Sequence, residues 1–259
     1  MSSFPITAAA ALLALSISAS PASAQDPEGV GVTLGLGAEI APDYFGASGM
    51  GPAPTAAFSV QKFVLPGGFG IGSESALPTD PGFGPRGAFR FVSSREASGN
   101  PELRGLDDID YAVELGLGLF RITERSRIYG EVRRGLGGHE GWVAEVGADA
   151  ILRPTDRLVL TAGPRAHWGN DEFVGTYFGV TPAEAARSRY ATYSPDGGLV
   201  SLGVELNARY DFQNGWGLHG TLGWRRLQDD AARSPITREG SADQFGARLI
   251  VTRSFWLGS

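Results

Sequence analysis

GGLVSLGVELNARYDFQNGWGLHGTLGWRRLQ, residues 197–228, alternates with period two. Val200, Leu202, Val204, Leu206, Ala208, Tyr210 and Phe212 share one face; Ser201, Gly203, Glu205, Asn207, Arg209 and Asp211 share the other. Such alternation places each set on one side of a β-strand. Gln213-Asn214-Gly215 follows, and Asn-Gly favours a tight turn because both residues tolerate positive φ. The pattern resumes with Trp216, Leu218, Gly220, Leu222 and Trp224 against Gly217, His219, Thr221, Gly223 and Arg225. The stretch is a long β-hairpin with one apolar face and one face of glycine, hydroxyl and charge.

That apolar face has two homes. In a soluble sandwich it is the core; in an outer-membrane barrel it meets lipid and the polar face lines the lumen. Strand length separates them. Soluble strands run about 5–6 residues, and a tilted membrane strand needs about 9–11. Both strands here are at least that long, and glycines on the polar face suit a crowded barrel interior. Leu202, Val204 and Leu206 are then expected to face lipid, with Glu205, Asn207 and Arg209 toward the lumen.

The same alternation recurs along the chain. Val30 to Ile40, Ala56 to Val60, Tyr111 to Leu119, Trp142 to Leu152, Leu158 to Trp168 and Phe245 to Phe255 repeat it. Arg86 to Ser94 carries it weakly, and Ile128 to Gly135 is polar on both faces. Short turns at Thr123–Ser126, Arg153–Asp156 and Gln213–Gly215 alternate with longer loops at 137–141, 170–197 and 229–241. Short periplasmic turns and longer outer loops are what outer-membrane barrels show. The expected fold is all-β: a closed antiparallel transmembrane β-barrel. If Pro54 to Ser75 is one bent strand, the count is ten, which we favour; if Pro66-Gly67-Gly68 is a hairpin turn, parity requires twelve.

Residues 1–24 read as a signal peptide, with an apolar run Ala8 to Ile17 and an A-x-A site at Ala22-Ser23-Ala24. No Lys or Arg precedes that run. Cleavage near Ala24 leaves residues 25–259 as one barrel domain in the outer membrane. The chain contains no cysteine, which excludes lipidation at a lipobox, thiolate catalysis and disulfides. No continuous apolar run is long enough for a transmembrane helix, so a closed barrel is the remaining way to span lipid. A net charge of −6 gives no nucleic-acid footprint.

On the lumen side the pattern places Glu145, Arg165, Glu205, Arg209 and Arg225, together with Glu39, Glu114, Glu131, Arg133 and Asp149. Mixed charge inside a barrel of this strand number reads as packed ion pairs; a small polar pore is the alternative. A hydrolase is the second alternative, with His139 drawn to Asp229 and Asp230, but no nucleophile motif accompanies it. No histidine pair has metal-ligand spacing, and no glycine-rich run opens a helix for phosphate. No cofactor is expected.

Five loop segments carry a resemblance. They are Pro42–Ser48 (PDYFGAS), Gly105–Ile109 (GLDDI), Arg134–Gly141 (RGLGGHEG), Tyr177–Ser188 (YFGVTPAEAARS) and Asp230–Ile236 (DAARSPI). In this order and spacing they resemble the MipA/OmpV family of MltA-interacting outer-membrane proteins, over essentially the whole mature chain. The specific part is Tyr177, Phe178, Gly179, Val180 and Ser188, followed by Ser234 and Pro235. Two departures stand out: Arg189-Tyr190 after Ser188, and Leu257-Gly258-Ser259 after the Phe255-Trp256 pair, where such barrels commonly end on an aromatic. The resemblance implies a non-catalytic outer-membrane barrel, with outer-membrane lipid around it. It also implies a scaffold joining murein-processing enzymes, a lytic transglycosylase and a murein synthase, in the periplasm; porin-like and adhesive roles are implied for related members.

Within the longest loop, Tyr177-Phe178 reads as strand extension and Thr181-Pro182-Ala183-Glu184 as a capped helix start. We expect Tyr177 to Ser188 to fold back over the outer mouth as a plug, packed on Asp230 to Ile236, with a surface-recognition loop as the alternative.

Overall fold

The computed structural model describes residues 29–64, 70–72 and 81–258; the expected signal peptide lies outside them. The chain forms one antiparallel sheet: β1 (Gly29–Pro42), β2 (Met50–Val64), β3 (Gly70–Gly72), β4 (Gly82–Val92), β5 (Ala112–Ile122), β6 (Ser126–Gly137), β7 (Trp142–Thr155), β8 (Leu158–Gly169), β9 (Gly198–Asp211), β10 (Trp216–Leu227) and β11 (Asp243–Gly258). Among the described residues four short α-helices lie in two of its loops, α1 (Asp171–Phe178) and α2 (Pro182–Ala185) after β8, α3 (Asp229–Arg233) and α4 (Pro235–Glu239) after β10, and a 3-10 turn (Pro101–Leu103) lies between β4 and β5. Among the described residues no helix is long and apolar enough to cross a membrane.

The strand order is β3-β2-β1-β11-β10-β9-β8-β7-β6-β5-β4. The first long strand therefore pairs with the last, from Gly29↔Gly258 to Ile40↔Ala247, and the sheet curls back toward itself. β4 approaches β2 and β3, but among the described residues no hydrogen-bonded ladder joins them. The architecture shown is a curled half-barrel; the seam where closure was expected borders residues outside the described set. Ten strands are long, matching the favoured count. The single bent strand expected over Pro54 to Ser75 is corrected, because Gly70–Gly72 pairs antiparallel with Lys62–Val64. Between these two strands the sequence carries Pro66, which has no N–H for a ladder and interrupts the alternation.

β9 and β10 pair as the alternation requires, from Gly217↔Asp211 to Leu227↔Ser201. At their turn the positive φ values fall on Gln213 (59°) and Gly215 (80°). Asp211 and Asn214 side chains accept from the Gln213 and Trp216 N–H groups at 2.6 and 3.1 Å, so the turn satisfies its own backbone.

The faces are inverted relative to a soluble sheet. Leu36 and Leu117 are 75% and 73% exposed, whereas Glu114, Arg133 and Arg165 are 0%, 2% and 2% exposed. Leu202, Val204 and Leu206 point outward, and Asn207 is buried inside. β6, polar on both faces in the sequence, resolves the same way: Arg127, Tyr129, Glu131 and Arg133 are buried, while Ile128, Val132 and Leu136 are exposed. Inward glycines allow the tight curvature. A Cβ on Gly163 would sit 1.7 Å from the Ala148 carbonyl oxygen, and one on Gly116 would sit 1.9 Å from that of Val132. Gly29, where β1 begins, and Gly258, where β11 ends, lie at the short-turn end of the sheet, and the five long loops share the opposite end.

Candidate functional site: an ion-paired interior under a folded cap

Inward-facing side chains of β4 to β10 meet in a buried ionic network. Arg133 donates to Glu114 at 2.8 Å and also to Glu131, which Arg86 reaches at 3.2 Å. Arg127 and Arg165 grip Asp149 at 2.6 and 2.8 Å. Arg165 continues to Glu205 at 3.0 Å, and Arg225 bridges Glu145 and Glu205 at 3.5 and 3.8 Å. Tyr129 donates to Glu145 at 2.8 Å, and its ring receives the Arg86 guanidinium at 4.5 Å. Of the lumen set, Glu145, Arg165, Glu205 and Arg225 are thus brought together. Arg209 is not; it pairs loosely with Asp211 at 4.0 Å toward the short-turn end.

Above this network sits the folded β8–β9 loop. The Asn170 side chain accepts from the Phe173 N–H at 3.1 Å and caps α1, and Asp171 and Glu172 occupy its first turn, as a helix N-terminus favours. Phe173, Val174, Tyr177 and Phe178 are buried, and Phe45 from the β1–β2 loop packs edge-on to Phe173 and Tyr177 at 5.9 and 4.8 Å. Burying each such aromatic contributes about 1.5–3 kcal/mol. Tyr177-Phe178 therefore closes a helix rather than extending a strand, because Asn170-Asp171-Glu172 starts one eight residues earlier. Phe173 and Asn170 were not among the sequence candidates; the Asn-Asp-Glu start was the legible signal.

The cap is cross-tied. Ser234 Oγ donates to the Phe178 carbonyl at 2.7 Å, Val180 pairs with Tyr193 as a two-residue bridge, and Arg95 donates to the Tyr177 carbonyl at 3.1 Å. Gly179 caps α1, and Pro235 opens α4. Val180, Ile236, Leu103, Leu106, Tyr44 and Tyr190 form a second buried cluster drawn from four loops. Ser188 stands apart from the plug, its hydroxyl accepting from the Tyr190 N–H at 3.2 Å.

Thr181 and Glu184 make the expected capping box. Glu184 also accepts from the Asp107 N–H at 3.0 Å, which ties this loop to the β4–β5 loop. Burial pushes the Glu184 pKa up, but hydrogen bonds from Asp107 and Thr181 outweigh it and hold the carboxyl below its usual value. A depressed folded-state pKa stabilises above the unfolded value, about 4.3, and that contribution disappears as pH falls through the folded one. Glu184→Gln is therefore expected to cost roughly 1–3 kcal/mol at neutral pH. The deficit relative to wild type should shrink in acid; a pH-independent deficit in denaturant melts would count against the carboxylate bonds.

His139 does not meet Asp229 or Asp230. Its Nε2 lies 3.4 Å from Glu114, and its ring packs edge-on to Phe173 and Tyr177 at 5.1 and 5.5 Å. Asp230 instead accepts from the Asp196 N–H at 2.8 Å and pairs with Arg233. Among the described residues no group of three His, Asp or Glu could hold a metal.

Long antiparallel strands curled into a half-barrel, with apolar side chains outside, ion pairs inside and a folded loop cap at one end, place the protein in the inside-out all-β class. The chain belongs to the MipA family: the family model described as MltA-interacting protein MipA matches residues 34–255. The MltA-interacting proteins of Escherichia coli K12 and Shigella flexneri are each 30% identical over 145 residues, covering 54% of this chain and 56% of theirs. The match thus spans about half the length of those curated relatives. Among solved structures, an outer membrane channel from Pseudomonas putida F1 aligns over 88% of this chain and 96% of its own, with 15% identity and a TM-score of 0.45. The outer membrane protein OprD of Pseudomonas aeruginosa aligns over 90% and 67%, with 13% identity and a TM-score of 0.33.

Proposed function

We propose that this protein is a non-enzymatic outer-membrane barrel that serves as an envelope scaffold, its partner a murein-processing enzyme in the periplasm. The partner class follows from the family and from the name of its relatives, MltA-interacting protein. The observation that carries a scaffold over an open channel is the filled mouth: Phe173 and Phe178 are fully buried over an interior cross-linked by ion pairs. Affinity capture of the full chain from solubilised envelopes tests it. A murein hydrolase or synthase should co-elute; capture of lipid and detergent alone would defeat the scaffold reading.

The membrane setting is supported by the outward apolar face and by aromatics near its ends, Tyr111, Trp142 and Trp168 by the long loops and Phe212, Trp216 and Trp256 by the short turns. Val204→Arg, near the middle of β9, is expected to cost about 2–4 kcal/mol of stability in lipid vesicles. A cost near zero would place this face in water.

A small porin-like channel remains the second reading. Arg86 and Arg225 favour it, because their inward side chains are still 31% and 27% exposed and the interior is not completely filled.

A further inference from the structure

The interior charges are unevenly matched. Arg86, Arg127, Arg133, Arg165 and Arg225 each have a carboxylate partner. Arg90, half-buried on the inward face of β4, has none among the described residues, and its Nη1 is buried without a hydrogen-bond partner. Its cross-strand neighbour is Glu114. That carboxylate is already engaged by Arg133 at 2.8 Å, with His139 at 3.4 Å. Of the other charges that act on Arg90, Glu114 leads, followed by the cations Arg225 and Arg133 and then Glu145.

Further donors point into the same region. Arg133 Nη2, His139 Nδ1, His167 Nε2 and Tyr177 Oη are buried without hydrogen-bond partners; of the carboxylate oxygens also left without one, Glu131 Oε2, Asp149 Oδ1 and Glu114 Oε1 face Arg86 at 3.2 Å, Arg165 at 2.8 Å and His139 at 3.4 Å. His167 lies among Arg90, Glu145, Arg225 and Glu114, and Tyr177 faces Glu114 and Arg90 from the plug above. The Phe45 ring closes the outer side, 5.8 Å from the Arg90 guanidinium. The side chains of inward Arg86 and Arg225 remain 31% and 27% exposed, so the interior beside them is not fully packed. Buried donors without acceptors are rare in folded proteins, and a buried guanidinium without a counter-charge is strongly unfavourable.

We propose that the interior beneath α1 binds one small monoanion, a halide or the carboxylate of a small solute, through Arg90 with Arg133, His167 and Tyr177 as further donors. Beneath α1 one unmatched cation calls for a single negative charge; Arg248, whose Nε is likewise buried without a hydrogen-bond partner, stands apart on β11 across from Glu39. The plug above and the ion pairs below restrict the guest to a few heavy atoms. Arg90, Arg133 and His167 come from the sheet interior and Tyr177 from α1, so the site stands whether the protein scaffolds or conducts.

Chloride is the first probe. The detergent-purified full chain is expected to broaden the quadrupolar chloride NMR line beyond a micelle blank. Arg90→Gln should lose that excess, and Arg121→Gln, exposed on the outer face of β5, should retain it. Because Arg90 makes no ion pair, its glutamine variant is expected to keep the β circular-dichroism spectrum of the wild type. Added formate should narrow the line if carboxylates share the site and leave it broad if the site takes halide alone. In a second measurement, the wild type should melt higher in sodium chloride than in sodium gluconate at equal ionic strength, gluconate being far bulkier than the guest proposed. Arg90→Gln should melt alike in both. Absence of excess broadening in wild type, equal broadening in Arg90→Gln, or a wild-type melt indifferent to the anion would overturn the proposal.

Discussion

Arg133→Leu is expected to lower the unfolding free energy by about 3–5 kcal/mol, the cost of stranding a buried charge. The side chains of Arg133 and Glu114 are 2% and 0% exposed and bonded at 2.8 Å, and Arg133 also holds Glu131. Leucine would leave Glu114 with the His139 ring at 3.4 Å and with Arg90 across the strand pair, which makes no ion pair with it. Glu131 would fare better, since Arg86 remains at 3.2 Å. Most of the loss should therefore trace to Glu114. The double variant Arg133→Leu with Glu114→Leu removes both charges together and should recover much of the stability, because a buried pair replaced by apolar groups is often near neutral. Denaturant unfolding of the protein in lipid vesicles, followed by tryptophan fluorescence, measures both. A single variant within about 1 kcal/mol of wild type would mean that water reaches the network and screens it, as it does for surface pairs.

The sheet was legible in the sequence because its chemistry is periodic. Val200 to Phe212 alternates without a break, and the structure turns each apolar member of that run from Leu202 to Leu206 outward. Inside-out facing was legible only indirectly, from strand length and the glycines opposite the apolar set. Alternation has no sign: it separates two faces but does not say which one is wet. Interior partners were less legible. Arg165 and Asp149 lie on neighbouring strands, yet their 2.8 Å contact depends on register, and β7 and β8 slip relative to each other near Leu152/Thr155. The cap shows the opposite failure. Thr181 to Glu184 announced its own helix through local hydrogen bonding, and the structure forms that capping box. Asn170 announced α1 just as clearly, but the aromatic pair at its end resembled strand and hid the signal. The hydroxyl of Ser234 reaching the Phe178 carbonyl spans 56 positions, and no local pattern encodes a contact of that range.

Replacing residues 170–197 with a short glycine-serine turn is expected to convert a silent protein into a conducting one. Gly169 and Gly198 are register partners at the ends of β8 and β9, so a tight connection can join them without moving either strand. The replacement removes Phe173, Val174, Tyr177 and Phe178 from the mouth, along with the α2 loop that anchors them through Val180 and Tyr193. It leaves Arg133, Glu114, Arg165 and Asp149 in place, since these stand on strands. Loss of the plug exposes Phe45, His139 and Leu227 to water, so thermal stability should fall while the β spectrum persists. Planar-bilayer recordings would show no resolved steps for wild type and discrete steps for the variant. Antibiotic susceptibility of cells expressing each form should move in the same direction. If the variant assembles and stays silent, the barrier is the ion-paired layer itself, and the Arg133→Leu, Glu114→Leu double substitution added to it should then open the path. Silence in that combined variant as well would leave the loops with recognition as their task and remove channel activity from consideration.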